Sequence, residues 1–195
     1  MTNMRLVPWV ALVSCAHSVG PRARPLARAT GAASVCIHTV GPRKRQVVGG
    51  LLMPGSTPEA VWSVLTDYER LPDIIPSIVA HNVTRAPTGD VWIDQDARLS
   101  STAGLTTRMR LRATEDRASG RVALRRVEGK ELLEFECHYA IEERPGGTYV
   151  RYCSRLRPCS LYPLSLVEYK LRKEVPEMLR AIAEASREVS LGRGS

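Results

Sequence analysis

Two neighbouring segments of this 195-residue chain carry polar groups at alternate positions. Cys137 and Tyr139 lie in the first, Tyr152 and Ser154 in the second, flanked by Phe135 and Leu156. On extended chain, residues two apart share a face, so these side chains would gather on one side of a sheet. Phenols, a hydroxyl and a thiol among apolar neighbours suit the orientation of a largely apolar molecule, and either tyrosine could donate a proton to an enolising substrate. No base stands beside them in the sequence. Histidines 81 and 138 lack a second His or carboxylate at metal-ligand spacing, which argues against a metal site. With no GxSxG motif and no phosphate-binding loop, no cofactor is implied.

The elements that must position these groups follow from alternation and turn signals. Strands are predicted over 46–53, 78–86, 91–101, 105–116, 121–127, 131–143 and 148–157, separated by Gly- and Pro-containing turns. Seven strands with short connections predict an antiparallel meander. The loop of residues 144–147 sets a register in which Glu143 faces Thr148, Tyr139 faces Tyr152, Cys137 faces Ser154 and Phe135 faces Leu156. Leu133 is expected on the same inward face. Glu136 then meets Arg155, and Glu134 meets Arg157, on the wet side of the sheet. Further inward candidates are Gln95, Thr107, Met109 and Leu111, with Arg108, Arg110 and Arg112 outward. This mixture predicts an apolar cavity of roughly 300–1,000 Å³ with a few orienting polar groups.

A helix is predicted over 164–189, where Leu164, Val167, Leu171, Val175, Met178, Ile182, Ala185 and Val189 form one apolar stripe. Pro176 should kink it. Leu171, Val175 and Met178 would close the cavity from the helix side. Upstream, Thr57 is a suitable N-cap, Pro58 fits the first helical position, and Val61, Trp62 and Leu65 recur at helical spacing. Asp67 is expected to cap the next turn, after which Pro72 and Pro76 leave an apolar tip, Ile74-Ile75. Tyr68, Ile74, Ile75 and His81 would then stand at the cavity mouth.

The block TPEAVWSVLTDYERLPDIIPSI, residues 57–78, closely resembles the opening of the START-like superfamily, helix-grip proteins that include polyketide cyclase/dehydrases and coenzyme Q-binding proteins. Val127-Glu128-Gly129 and the segment LRKEVPEMLRAIA are also similar to that family, extending the likeness over about residues 46–190. The resemblance implies an α+β helix-grip fold, in which a seven-stranded antiparallel sheet wraps a long C-terminal helix and two short helices follow the first strand. It also implies a hydrophobic small-molecule ligand: an isoprenoid quinone, a lipid or a pigment intermediate. A carrier or chaperone is the leading reading, with a peripheral membrane contact through Ile74 and Ile75. The alternatives are a cyclase or dehydratase using the same cavity, and a ligand-free protein-interaction module. The superfamily places all three on one fold. Oligomeric state is left open by the sequence.

Charge divides the chain. The net +8 would suit nucleic acid or an anionic surface, but residues 1–45 hold seven Lys/Arg and no acid, whereas residues 46–195 hold the other 21 basic residues and all 20 acids. The body is nearly neutral and has no aromatic-basic platform, so no nucleic-acid partner is expected. Residues 1–45 resemble a cleaved targeting leader: an apolar run at 6–16, too short to span a bilayer, then an Arg-rich, acid-free stretch. That arrangement points to a plastid reached through the secretory route, with the mitochondrion as the alternative. Residues 46–190 would form one domain and 191–195 a flexible tail. Three cysteines in the body, without a CxxC pair, argue against a disulfide framework.

Overall fold

The computed structural model describes residues 32–100 and 105–192. Eight strands are present: β1 (Ser34–Gly41), β2 (Lys44–Met53), β3 (Ile78–Arg85), β4 (Val91–Ser100), β5 (Leu105–Asp116), β6 (Arg121–Gly129), β7 (Leu132–Arg144) and β8 (Gly147–Pro158). They form one antiparallel sheet in the order β1-β2-β8-β7-β6-β5-β4-β3. Between β2 and β3 come α1 (Pro58–Thr66), a 3-10 turn (Tyr68–Arg70) and the single-turn α2 (Leu71–Ile74); α3 (Leu164–Ser190) closes the chain. This is the expected helix-grip architecture with one additional strand.

Local chemistry explains the small helices. Thr57 Oγ1 accepts from the Ala60 N–H at 3.2 Å, and Pro58 opens α1 with its φ already suited to a helix. Its buried side, Ala60, Val61, Trp62, Val64 and Leu65, packs against α3 and the sheet. Asp67 makes no side-chain cap to the turn that follows, contrary to expectation. That turn is pinned from β3 instead, where Arg85 holds Glu69 with two hydrogen bonds and lies over the Tyr68 ring.

The long helix packs on α1 and, among the strands, chiefly on β1 and β2. Gly49 lies under Leu179: a Cβ there would make an ordinary contact with Leu179 Cδ1 at 3.5 Å but a tight one with Ser34 O of β1 at 3.1 Å. Val167, Val175, Leu179, Ile182 and Ser186 form the buried line of α3. Leu179 and Ser186 were not in the predicted stripe, although both lie at helical spacing from its members. The helix runs in one unbroken span through Pro176.

β1 and the β1–β2 turn fall within the segment assigned to a leader, so the fold begins by Ser34 rather than at residue 46. The last three basic residues of that segment are engaged in the fold. The Arg43 guanidinium donates to the carbonyls of Cys159 and Tyr162, both at 2.6 Å, and to Pro158 O at 3.5 Å. Lys44 pairs with Glu134, and Arg45 reaches Glu168 on α3 at 2.5 Å. Residues 1–31 and the tail end at 193–195 lie outside the described residues.

Candidate functional site

The β7–β8 register is the expected one. Tyr139 pairs with Tyr152, Cys137 with Ser154, Phe135 with Leu156 and Glu143 with Thr148. Glu134–Arg157 and Glu136–Arg155 are ion pairs on the outer face, at 3.0 and 3.8 Å. Leu133 departs from expectation: a bulge between Leu132 and Glu134 turns it outward, and it is 41% exposed.

Behind that outer face, the inward residues form one buried cluster. Met109, Leu111, Cys137, Tyr139, Tyr152, Ser154, Leu156 and Val175 are all buried, and Phe135, Leu171 and Met178 pack against them partly covered. The rings of Tyr139 and Tyr152 lie 5.2 Å apart, tilted by 48°. The Tyr139 hydroxyl points at Met178 Sδ, 3.4 Å away, so the polar centre of the sheet reaches the middle of α3. Ser154 Oγ is sealed from solvent beside the Tyr152 hydroxyl, without a well-formed hydrogen bond. Around the tyrosine pair the inward side chains are packed against one another. Of two depressions, about 880 and 640 Å³, the larger takes in the inward residues His81, Gln95 and Met109 and the smaller Phe135 and Leu156, each with charged side chains around them. The larger borders Asp94, Asp96, Arg108, Arg110 and Glu131.

Burial sets the protonation of this cluster. Desolvation pushes the Cys137 thiol up to about 12 and raises the Tyr139 and Tyr152 phenols above their ordinary range. All three remain protonated at neutral pH. They can donate hydrogen bonds to an enclosed molecule, and they are poorly suited to act as bases or thiolate nucleophiles.

Of the residues expected at a mouth, His81 lines the larger depression, and the other three are placed differently. Tyr68 is fully buried, and its hydroxyl donates to Glu115 Oε1 at 2.9 Å. Ile75 is buried and Ile74 half-buried, so neither forms an exposed tip. The exposed large apolar side chains near the start of α3 are instead Leu161, Leu166 and Tyr169. His81 lies beneath the 3-10 turn, beside the Tyr68 backbone and Glu69, with both ring nitrogens shielded from solvent and neither in a well-formed hydrogen bond. Gln95 is its direct cross-strand partner. Among the described residues, no three His, Cys, Asp or Glu side chains gather in a way that could hold a metal ion.

Residues 55–187 match the family described as polyketide cyclase / dehydrase and lipid transport. The chain belongs to that family. No curated protein sequence matches it. Among solved structures, the family member resembles the Zhui aromatase/cyclase from Streptomyces sp. R1128, with a TM-score of 0.66 at 16% identity over 78% of this chain and 99% of the other. It is also similar to human STARD10, with a TM-score of 0.67 at 12% identity over 86% and 74% of the two chains. A third structure, TTHA0849 from Thermus thermophilus, gives 0.61 at 17% identity, over 77% and 99%. At these identities the likeness is one of fold.

Proposed function

We propose that this family member binds a hydrophobic small molecule between the inward face of the sheet and α3, and acts as a carrier or chaperone for it. The observation that supports this most directly is the depression of about 880 Å³ lined by His81, Gln95 and Met109 of the inward face. Ser154 Oγ is sealed with the Tyr152 phenol beside it, and hydrogen-bonding capacity left over at such a buried group is what a ligand or an enclosed water would use. The family description, which joins cyclase/dehydrase and lipid transport, agrees with an apolar ligand of this kind. An isoprenoid quinone, a lipid or a pigment intermediate fits the chemistry. Leu161, Leu166 and Tyr169, beside Arg172 and Lys173, are the side chains best placed for a peripheral membrane contact.

A cyclase or dehydratase is the second reading, favoured by the aromatase/cyclase likeness and by two protonated phenols that could serve as acids. Residues preceding Ser34 are proposed as a plastid leader, or a mitochondrial one, on the strength of their Arg-rich, acid-free composition. The N-terminal sequence of protein recovered from fractionated cells tests both the organelle and the site of cleavage. Native mass spectrometry with lipid extraction tests the binding reading. One apolar molecule per chain is expected, and a protein that is empty and also ignores quinone, lipid and pigment panels would overturn it.

A further inference from the structure

The inward face carries a second polar group, at the end of the interior covered by the 3-10 turn. His81 on β3, Gln95 on β4 and Met109 on β5 form one cross-strand row, each directly opposite the next. Gln95 alternates with buried Ile93 and Met109 with buried Leu111, and Val83 is packed on the core two residues beyond His81, which places the row on the apolar side. Both His81 nitrogens are sealed from solvent beside the Tyr68 backbone, and His81, Gln95 and Met109 together line the depression of about 880 Å³, into which the Gln95 amide opens. Side chains directly opposite on antiparallel strands stand about 5 Å apart at Cβ, close enough for two donors to bracket one acceptor. The Glu69 carboxylate nearby, already held by Arg85, disfavours an anion at this place and leaves a neutral acceptor as the fitting group.

We propose that His81 and Gln95 form a recognition subsite for an uncharged carbonyl oxygen of the bound molecule, roofed by Tyr68. A neutral imidazole supplies one N–H and the amide two, and a ketone oxygen has two lone pairs to receive them. The apolar body of the ligand would extend past Met109 toward Leu111 and the tyrosine pair. This inference rests on the ligand-binding reading above and names the functional group that reading leaves open.

The test uses a rigid matched pair, 9-fluorenone and fluorene, titrated into the whole protein and into the variants H81L and Q95M by calorimetry or fluorescence. The expected result is a ketone-over-hydrocarbon affinity ratio about tenfold higher in the wild type than in either variant, with fluorene affinity nearly unchanged. The imidazole 15N signals of His81 should shift with fluorenone and stay in place with fluorene. H81L removes two buried nitrogens while keeping an apolar side chain in the row, and its melting curve checks that it folds. An equal ratio in all three proteins would overturn the subsite while leaving ligand binding intact. Binding of neither probe would overturn the ligand-binding reading, and the subsite with it.

Discussion

Ser154 faces Cys137 across the β7–β8 pair, and the cluster of polar atoms they share with Tyr139 and Tyr152 is almost entirely sealed from solvent. If the Ser154 hydroxyl is unsatisfied in the empty protein, Ser154→Ala should leave stability unchanged or raise it by up to about 1 kcal/mol in urea unfolding. A loss of more than about 1 kcal/mol would mean that its contact with the Tyr152 phenol is a real hydrogen bond. The two partly buried histidines give a pH prediction. Burial depresses the pKa of both His81 and His138 below 6.5, so the folded state keeps them neutral where the unfolded chain takes up protons. Their contribution is therefore full above the unfolded value and declines as pH falls through it toward the folded value. The urea midpoint should fall between about pH 7 and pH 5, and H81L should flatten that slope. The Asp90, Asp94 and Asp96 carboxylates, held low by hydrogen bonds from Arg112, Arg110 and Arg108, act in a separate window. What they contribute is lost only as pH falls below the ordinary carboxylate value.

Among the elements, α3 depends on a few close contacts along β2. Leu179 is fully buried over Gly49 and sits between Val175 and Ile182 on the helix. Leu179→Ala should cost about 2–5 kcal/mol by urea unfolding, because the sheet beneath cannot collapse into the space. A cost under about 1 kcal/mol would mean that the helix is free to shift, which would favour easy ligand admission. The Arg108–Asp96, Arg110–Asp94 and Arg112–Asp90 ladder crosses β4 and β5 on the exposed face. Exposed pairs of this kind contribute little to stability, and their clearer role is to keep that face wet and the register fixed.

For the whole molecule, the consequential difference from the sequence reading is where the fold begins. β1 covers the edge of β2, and Arg43 and Arg45 tie the β1–β2 turn and β2 to the approach and first turns of α3. A chain beginning at residue 46 would lose these ties and expose the β2 edge. It should melt several degrees below a chain beginning at residue 32, and it should associate in size-exclusion chromatography. Equal melting temperatures would show that β1 is dispensable and would restore the later boundary.

Strand spans, the β7–β8 register, the two faces of the sheet and the amphipathic α3 were legible in the sequence, because each depends on alternation or helical spacing within a short stretch. The same holds for Thr57 as a cap and for the gathering of Cys137, Tyr139, Tyr152 and Ser154 on one face. Tertiary structure decided the rest. Arg43, Lys44 and Arg45 have the composition of a leader, and only their partners on β7, the β8–α3 loop and α3 show that the fold uses them. Leu133 follows the inward alternation until a bulge reverses it, and Tyr68 looks exposed until Glu115, 47 residues away, accepts its hydroxyl. Whether an interior is packed or open depends on how volumes from distant segments fit together, and that sum is not written in the periodicity of any one of them.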